Sequence, residues 1–133
     1  MSWKPEDAET VRQMIKHESD VTNHRLTWLV TLQGFLFAAL GFAWKDGKQL
    51  IPLLSIIGVA SSVSMLFPLY CADAAIRDLV RRWDIEKPAS FTGPDVVGYR
   101  PTGRLISLFL PWFLFPSILA LAWLVVCVVW MRA

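Results

Sequence analysis

Three long stretches of this chain contain no aspartate, glutamate, lysine, arginine or histidine. Residues 26–44 run 19 positions without an ionisable side chain, residues 50–72 run 23 and residues 105–131 run 27. Proton relays, voltage sensors and ion-coupled transporters place ionisable groups at membrane depth, and these runs hold none. An intramembrane protease also needs a catalytic pair there. Cysteine is scarce too. Cys71 closes the second run and Cys127 lies near the end of the third, towards opposite faces of a membrane, which argues against an intrachain disulfide. Two cysteines and two histidines do not make a zinc site of ordinary spacing, and no metal or other cofactor is expected. No glycine-rich nucleotide loop or catalytic triad is present. The first 25 residues lack the apolar core of a cleavable signal peptide. Met1-Ser2 is not a myristoylation start, and the C-terminus is not a prenylation box.

What the chain has in abundance is apolar surface. Hydrophobic residues make up 55% and charged residues 18%, against about 25% charged in soluble domains. A helix of roughly 20 residues crosses a hydrocarbon core of about 30 Å, and each charge-free run reaches that length. Buried helices of soluble proteins are shorter and keep a polar stripe. The sequence therefore predicts an all-α integral membrane protein with three transmembrane helices in one membrane domain, residues 1–133. A head helix occupies 1–25, the first span 26–44, an external turn 45–49 and the second span 50–72. A cytoplasmic helix and loop follow over 73–104, and the third span lies within 105–131.

Lysine and arginine near span ends favour the cytoplasm. Ten of the 13 basic residues fall in the head and in 73–104, which share one side of a three-span chain; Lys45, Lys48 and Arg132 fall on the other. The expectation is a multi-pass inner (plasma) membrane protein with the N-terminus cytoplasmic and the C-terminus external. Trp28, Trp44, Tyr70 and Trp130 bracket the spans, as amphipathic rings do at an interface. Trp123 lies deeper and reads as a bulky packing or lipid-facing residue.

Within the head, Pro5 suits a first helical turn, and Glu6, Asp7 and Glu9 complement the helix dipole. Neither proline nor glycine separates the head from the first span, so one helix is expected from Pro5 to Trp44. Asp46-Gly47 signals a turn, which makes the first two spans antiparallel neighbours, extended into the cytoplasm as a helical hairpin. Past Tyr70, Ile76, Leu79, Val80 and Trp83 recur on one helical face, which either lies on the membrane or packs on the head; packing is preferred, because Asp73, Asp78, Asp84 and Glu86 weaken attraction to anionic lipid. Pro88, Gly93-Pro94, Gly98 and Pro101-Thr102-Gly103 mark an irregular loop. The third run exceeds one span. Pro111 and Pro116 explain the excess either as a helix starting at Pro111 or as one kinked near Pro116.

The polar and small residues inside the spans are the candidate functional groups. Thr27, Thr31, Gly34, Ala38 and Gly41 form a stripe along the first span, and Ser55, Gly58 and Ser62 form one on the second. Small side chains let helix backbones approach closely in lipid, so these stripes join the two spans, subunits of a homo-oligomer, or both. Gln33, Ser55 and Ser62 are candidate pore-lining groups. At the boundary, His17, Asp20 and His24 share one helical face; this polar cluster matches no established metal-ligand pattern. Glu18 and Arg25 are candidates to tie the head to Arg77 or Asp73. Six basic against five acidic residues in 73–104 argue against a nucleic-acid surface.

The stretch from Asn23 to Phe37, NHRLTWLVTLQGFLF, resembles the first span of small uncharacterised bacterial multi-pass inner-membrane proteins. The resemblance covers about 15 residues and implies a bacterial origin but no activity. Three functions remain open. The first is a homo-oligomeric small membrane protein acting as a channel or membrane-perturbing effector. The second is a membrane anchor or accessory subunit recruiting a cytoplasmic protein through residues 1–25 and 73–104. The third is a lipid-modifying enzyme built on the boundary cluster, although no catalytic residue is assigned.

Overall fold

The computed structural model describes residues 5–87, 89–92, 96 and 109–132. Most of the loop expected over 88–104, with its glycine and proline signals, lies outside the described residues, as does the interfacial segment 105–108. The described residues form three helices: α1 (Pro5–Asp46), α2 (Ile51–Glu86) and α3 (Pro111–Arg132), with a 3-10 turn over Lys48–Leu50. All three are long and apolar enough to cross a membrane.

The helix begun at Pro5 runs unbroken through the first charge-free run. It ends where Gly47 N–H donates to the Ala43 carbonyl and the Gly47 carbonyl accepts from Leu50 N–H. This tight turn sends α2 back along α1, and residue pairs converge in opposite chain directions: Val11 clusters with Trp83, Arg25 reaches Pro68 and Gln33 reaches Ser62. At about 1.5 Å per residue, the 42 residues of α1 and 36 of α2 are about 63 and 54 Å long. A hydrocarbon core is about 30 Å thick, so both helices are longer than one crossing needs. Their charged residues gather over 5–25 and 73–86, at the end away from the turn.

The charged end of the helix pair has its own apolar core. Ala8, Val11, Trp83 and Val96 are buried together, with Ile15 and Phe91 packed against them. Phe91 meets the Trp83 ring edge-on at 5.2 Å. Met14, between Val11 and Ile15 on the same helix, remains exposed.

The third helix begins at Pro111. Leu110 supplies the carbonyl that accepts from Phe113 and Leu114 N–H, and proline at the first position has no N–H to leave orphaned. Its 22 residues span about 33 Å, one crossing. Pro116 is buried inside the helix, and one residue on, Ser117 Oγ donates to the Phe113 carbonyl at 2.8 Å. α3 packs chiefly on α2. Many large apolar side chains face outwards, among them Phe35, Phe42, Phe67 and Leu121. Such a surface fits a hydrocarbon solvent and is far larger than monomeric soluble proteins expose.

Candidate functional site

The most organised polar arrangement lies halfway along the spans, where all three helices meet. α1 contributes Gln33, α2 contributes Gly58, Ser61 and Ser62, and α3 contributes Trp123. Gln33 is 2% exposed, while Ser62 and Trp123 have no exposure. The indole N–H of Trp123 donates to Gln33 Oε1. Gln33 Nε2 faces three acceptors: the Gly58 carbonyl at 3.1 Å, Ser61 Oγ at 2.9 Å and Ser62 Oγ at 2.9 Å. The amide has two hydrogens for these three acceptors, so two are engaged at any instant. Both hydroxyls donate in turn to the Gly58 carbonyl, Ser61 at 3.1 Å and Ser62 at 2.8 Å. Indole is a donor only, which fixes the amide with its oxygen towards α3 and its nitrogen towards α2.

The helix spacing sets this joint. Gly58 and Ser62 are one turn apart on the face of α2 that meets α3. A Cβ on Gly58 would fall inside the Trp123 ring. Only hydrogen at that position lets the indole lie on the α2 backbone. Phe37, one turn beyond Gln33 on α1, stacks on the same indole with ring centroids 4.6 Å apart. In hydrocarbon an unsatisfied amide costs several kcal/mol, so the ring of partners around Gln33 makes it tolerable at this depth. The interhelical bonds themselves contribute less, about 0.6 kcal/mol each on average.

This geometry reassigns several sequence candidates. Gln33, Ser55 and Ser62 are buried within one chain and so do not face an open lumen. Ser55 Oγ is buried without a hydrogen-bond partner. The α2 stripe of Ser55, Gly58 and Ser62 is buried, with Gly58 directly beneath Trp123. Trp123 does not face lipid. The α1 stripe of Thr27, Thr31, Gly34, Ala38 and Gly41 is exposed and does not mediate the α1–α2 contact. Nothing lies within 4 Å of a Cβ at Gly34 or Gly41, and Thr27 and Thr31 bond back to the carbonyls of Asn23 and Thr27.

At the boundary, His17, Asp20 and His24 are exposed. Among the described residues, no group of three or more His, Cys, Asp or Glu side chains is placed to hold a metal ion. Arg25 ties α1 to α2 by donating to the Pro68 carbonyl at 3.5 Å, a backbone partner that charge pairing did not anticipate. Asp73 instead sits 2.8 Å from Arg77, one turn along its own helix. Burial raises the Asp73 carboxyl above the usual carboxylate range, and Arg77 opposes the shift. Farther out, a groove of about 600 Å³ runs between the projecting parts of α1 and α2, edged by Met14, His17, Glu18, Asp78, Leu79 and Arg82. Cys71 and Cys127 are free thiols.

Compared with known protein families, with curated proteins and with solved structures, the chain matches none.

Proposed function

We propose that this protein is a membrane platform: a three-span bundle that holds a two-helix stalk on the cytoplasmic side, where the stalk docks a soluble protein. The carrying observation is that α1 and α2 both outrun the hydrocarbon thickness at the same end and bury Trp83 there in a separate apolar core. A chain that needed only to cross the bilayer would not require about 20–30 Å of further paired helix. The basic residues of the head and of 73–104 favour the cytoplasm for that end, with the C-terminus of α3 outside. The stalk groove carries both signs of charge beside Met14 and Leu79, as protein-binding surfaces do.

The channel reading loses its lining, because Gln33 and Ser62 are consumed in the joint with Trp123. The enzyme reading rests on His17, Asp20 and His24, which are exposed and form no metal-binding group. Homo-oligomerisation stands as a second reading, compatible with the platform. The open faces of Gly34 and Gly41 favour it, since a bare small-residue face on a spanning helix permits close backbone approach.

Proximity labelling in the native cell tests the platform. A labelling enzyme fused to the N-terminus should enrich a defined soluble protein that a C-terminal fusion does not. Arg82→Glu in the groove should abolish that enrichment without lowering the amount of protein in the membrane. Identical label sets from both fusions, or from wild type and Arg82→Glu, would overturn the reading.

A further inference from the structure

Where the charge-free run of α2 ends, the three helices part and leave a cavity of about 190 Å³. α1 lines it with Ser19, Thr22 and Asn23, α2 with Leu69 and Asp73, and α3 with Trp112. Among the described residues, Asp73 is the only ionisable group in this wall, and it is 8% exposed. Its Oδ2 is sealed from solvent and has no hydrogen bond. Arg77 lies 2.8 Å from that oxygen, so their contact is an ion pair without the alignment of a hydrogen bond. A carboxylate oxygen has more than one lone pair, so Oδ2 can still accept a hydrogen bond while Arg77 offsets its charge.

The rest of the wall is neutral and matches a particular donor. The hydroxyls of Ser19 and Thr22 and the amide oxygen of Asn23 are acceptors beside the carboxylate. The Trp112 ring can attract a cation through its π face. A carboxylate beside neutral acceptors favours a hydrogen-bond donor that carries positive charge over a phosphate. A primary ammonium carries three N–H donors for these acceptors, whereas a quaternary ammonium carries none. At roughly 30 Å³ per water, the cavity holds about six waters, which is room for a small aminoalkyl group.

The depth of the cavity narrows the source. Leu69 lies within the charge-free run, and Asp73 is the first charge beyond it. Arg25, the last charge before the α1 run, reaches the Pro68 carbonyl at the same level. With the charge-free runs in hydrocarbon, this is the level of phospholipid headgroups. We propose that the cavity binds a primary ammonium group against Asp73, supplied by an ethanolamine phospholipid or by a small soluble amine. The site belongs to the membrane boundary, and its occupancy does not depend on what the stalk docks.

Thermal unfolding of the full chain in nanodiscs tests this. One set contains phosphatidylcholine alone and the other an equal mixture of phosphatidylcholine and phosphatidylethanolamine; free ethanolamine is titrated into the first. Wild type should melt several degrees higher with phosphatidylethanolamine, because a ligand bound only by the folded state raises its stability. Asp73→Asn should abolish that difference, Thr22→Val should reduce it, and Asp46→Asn at the distant turn should leave it intact. A rise with free ethanolamine but not with the lipid, again dependent on Asp73, assigns the site to a soluble amine. The proposal is overturned if neither source shifts wild type, or if the shift persists in Asp73→Asn.

Discussion

A methyl group added at Gly58 would enter the space now filled by the Trp123 indole. The ring cannot simply withdraw, because Phe37 stacks on it and its N–H is committed to Gln33. Overpacking of this kind costs about 1–3 kcal/mol, so Gly58→Ala should lower stability by that amount. Trp123→Phe keeps an aromatic ring but leaves Gln33 Oε1 without its donor, at a cost of about 1–3 kcal/mol for an unsatisfied buried acceptor. The two residues touch, so the double variant should be less damaged than the sum of the single ones. Thermal unfolding in a mild detergent checks all three. A neutral Gly58→Ala would mean that α3 does not pack on α2 as described. Part of this joint was legible beforehand: Gln33, Gly58 and Ser62 stood out as polar or small residues inside apolar runs. Their common partner did not, because Trp123 is 90 residues from Gln33 and an indole in a span is chemically compatible with lipid or with a partner. Only the third helix resolves that choice.

At the scale of elements, charge exclusion is a strong signal because hydrocarbon penalises ionised side chains. It marked the apolar stretch of each of the three long helices, and the helical spacing of Val80 and Trp83 marked the face of α2 that is buried beyond the charge-free run. The same spacing could not orient the α1 stripe. Periodicity shows that Thr27, Gly34 and Gly41 share a face, but it does not show which neighbour that face meets; Leu29, Gln33 and Leu36 are the buried positions instead. The start of α3 at Pro111 likewise follows from capping by the Leu110 carbonyl, which composition does not reveal. If the stalk core is a separate packing unit, damage to it should stay local. Trp83→Ala removes a fully buried side chain, a change that typically costs about 3–5 kcal/mol. Limited proteolysis should then cut within 5–20 and 76–87, while the membrane-embedded fragments stay intact and the Gln33–Trp123 joint keeps its melting behaviour. Simultaneous collapse of the spans would show that stalk and bundle are one cooperative unit.

The whole molecule presents two kinds of apolar exterior. Bulky residues such as Phe35, Phe42 and Phe67 are exposed and suit lipid chains, while α1 also carries the bare line of Thr27, Thr31, Gly34, Ala38 and Gly41. Among the described residues, no other helix comes within 4 Å of a Cβ at Gly34 or Gly41, so packing within the chain does not require glycine there. Substitution there separates assembly from folding in a way that few positions allow. If α1 joins subunits, light scattering of the detergent-solubilised protein, with detergent subtracted, should give a defined multiple of the 15.1 kDa chain. The double variant Gly34→Leu/Gly41→Leu should fall to a single-chain mass with its unfolding midpoint little changed, because both positions lie on an exposed face where an added Cβ meets no neighbouring helix. Gly58→Ala should do the reverse, losing stability through the α2–α3 joint without selectively dissociating subunits. A wild-type protein of single-chain mass would remove the oligomer and leave the platform to act through one stalk. An oligomer unaffected by the α1 changes would place the subunit contact elsewhere.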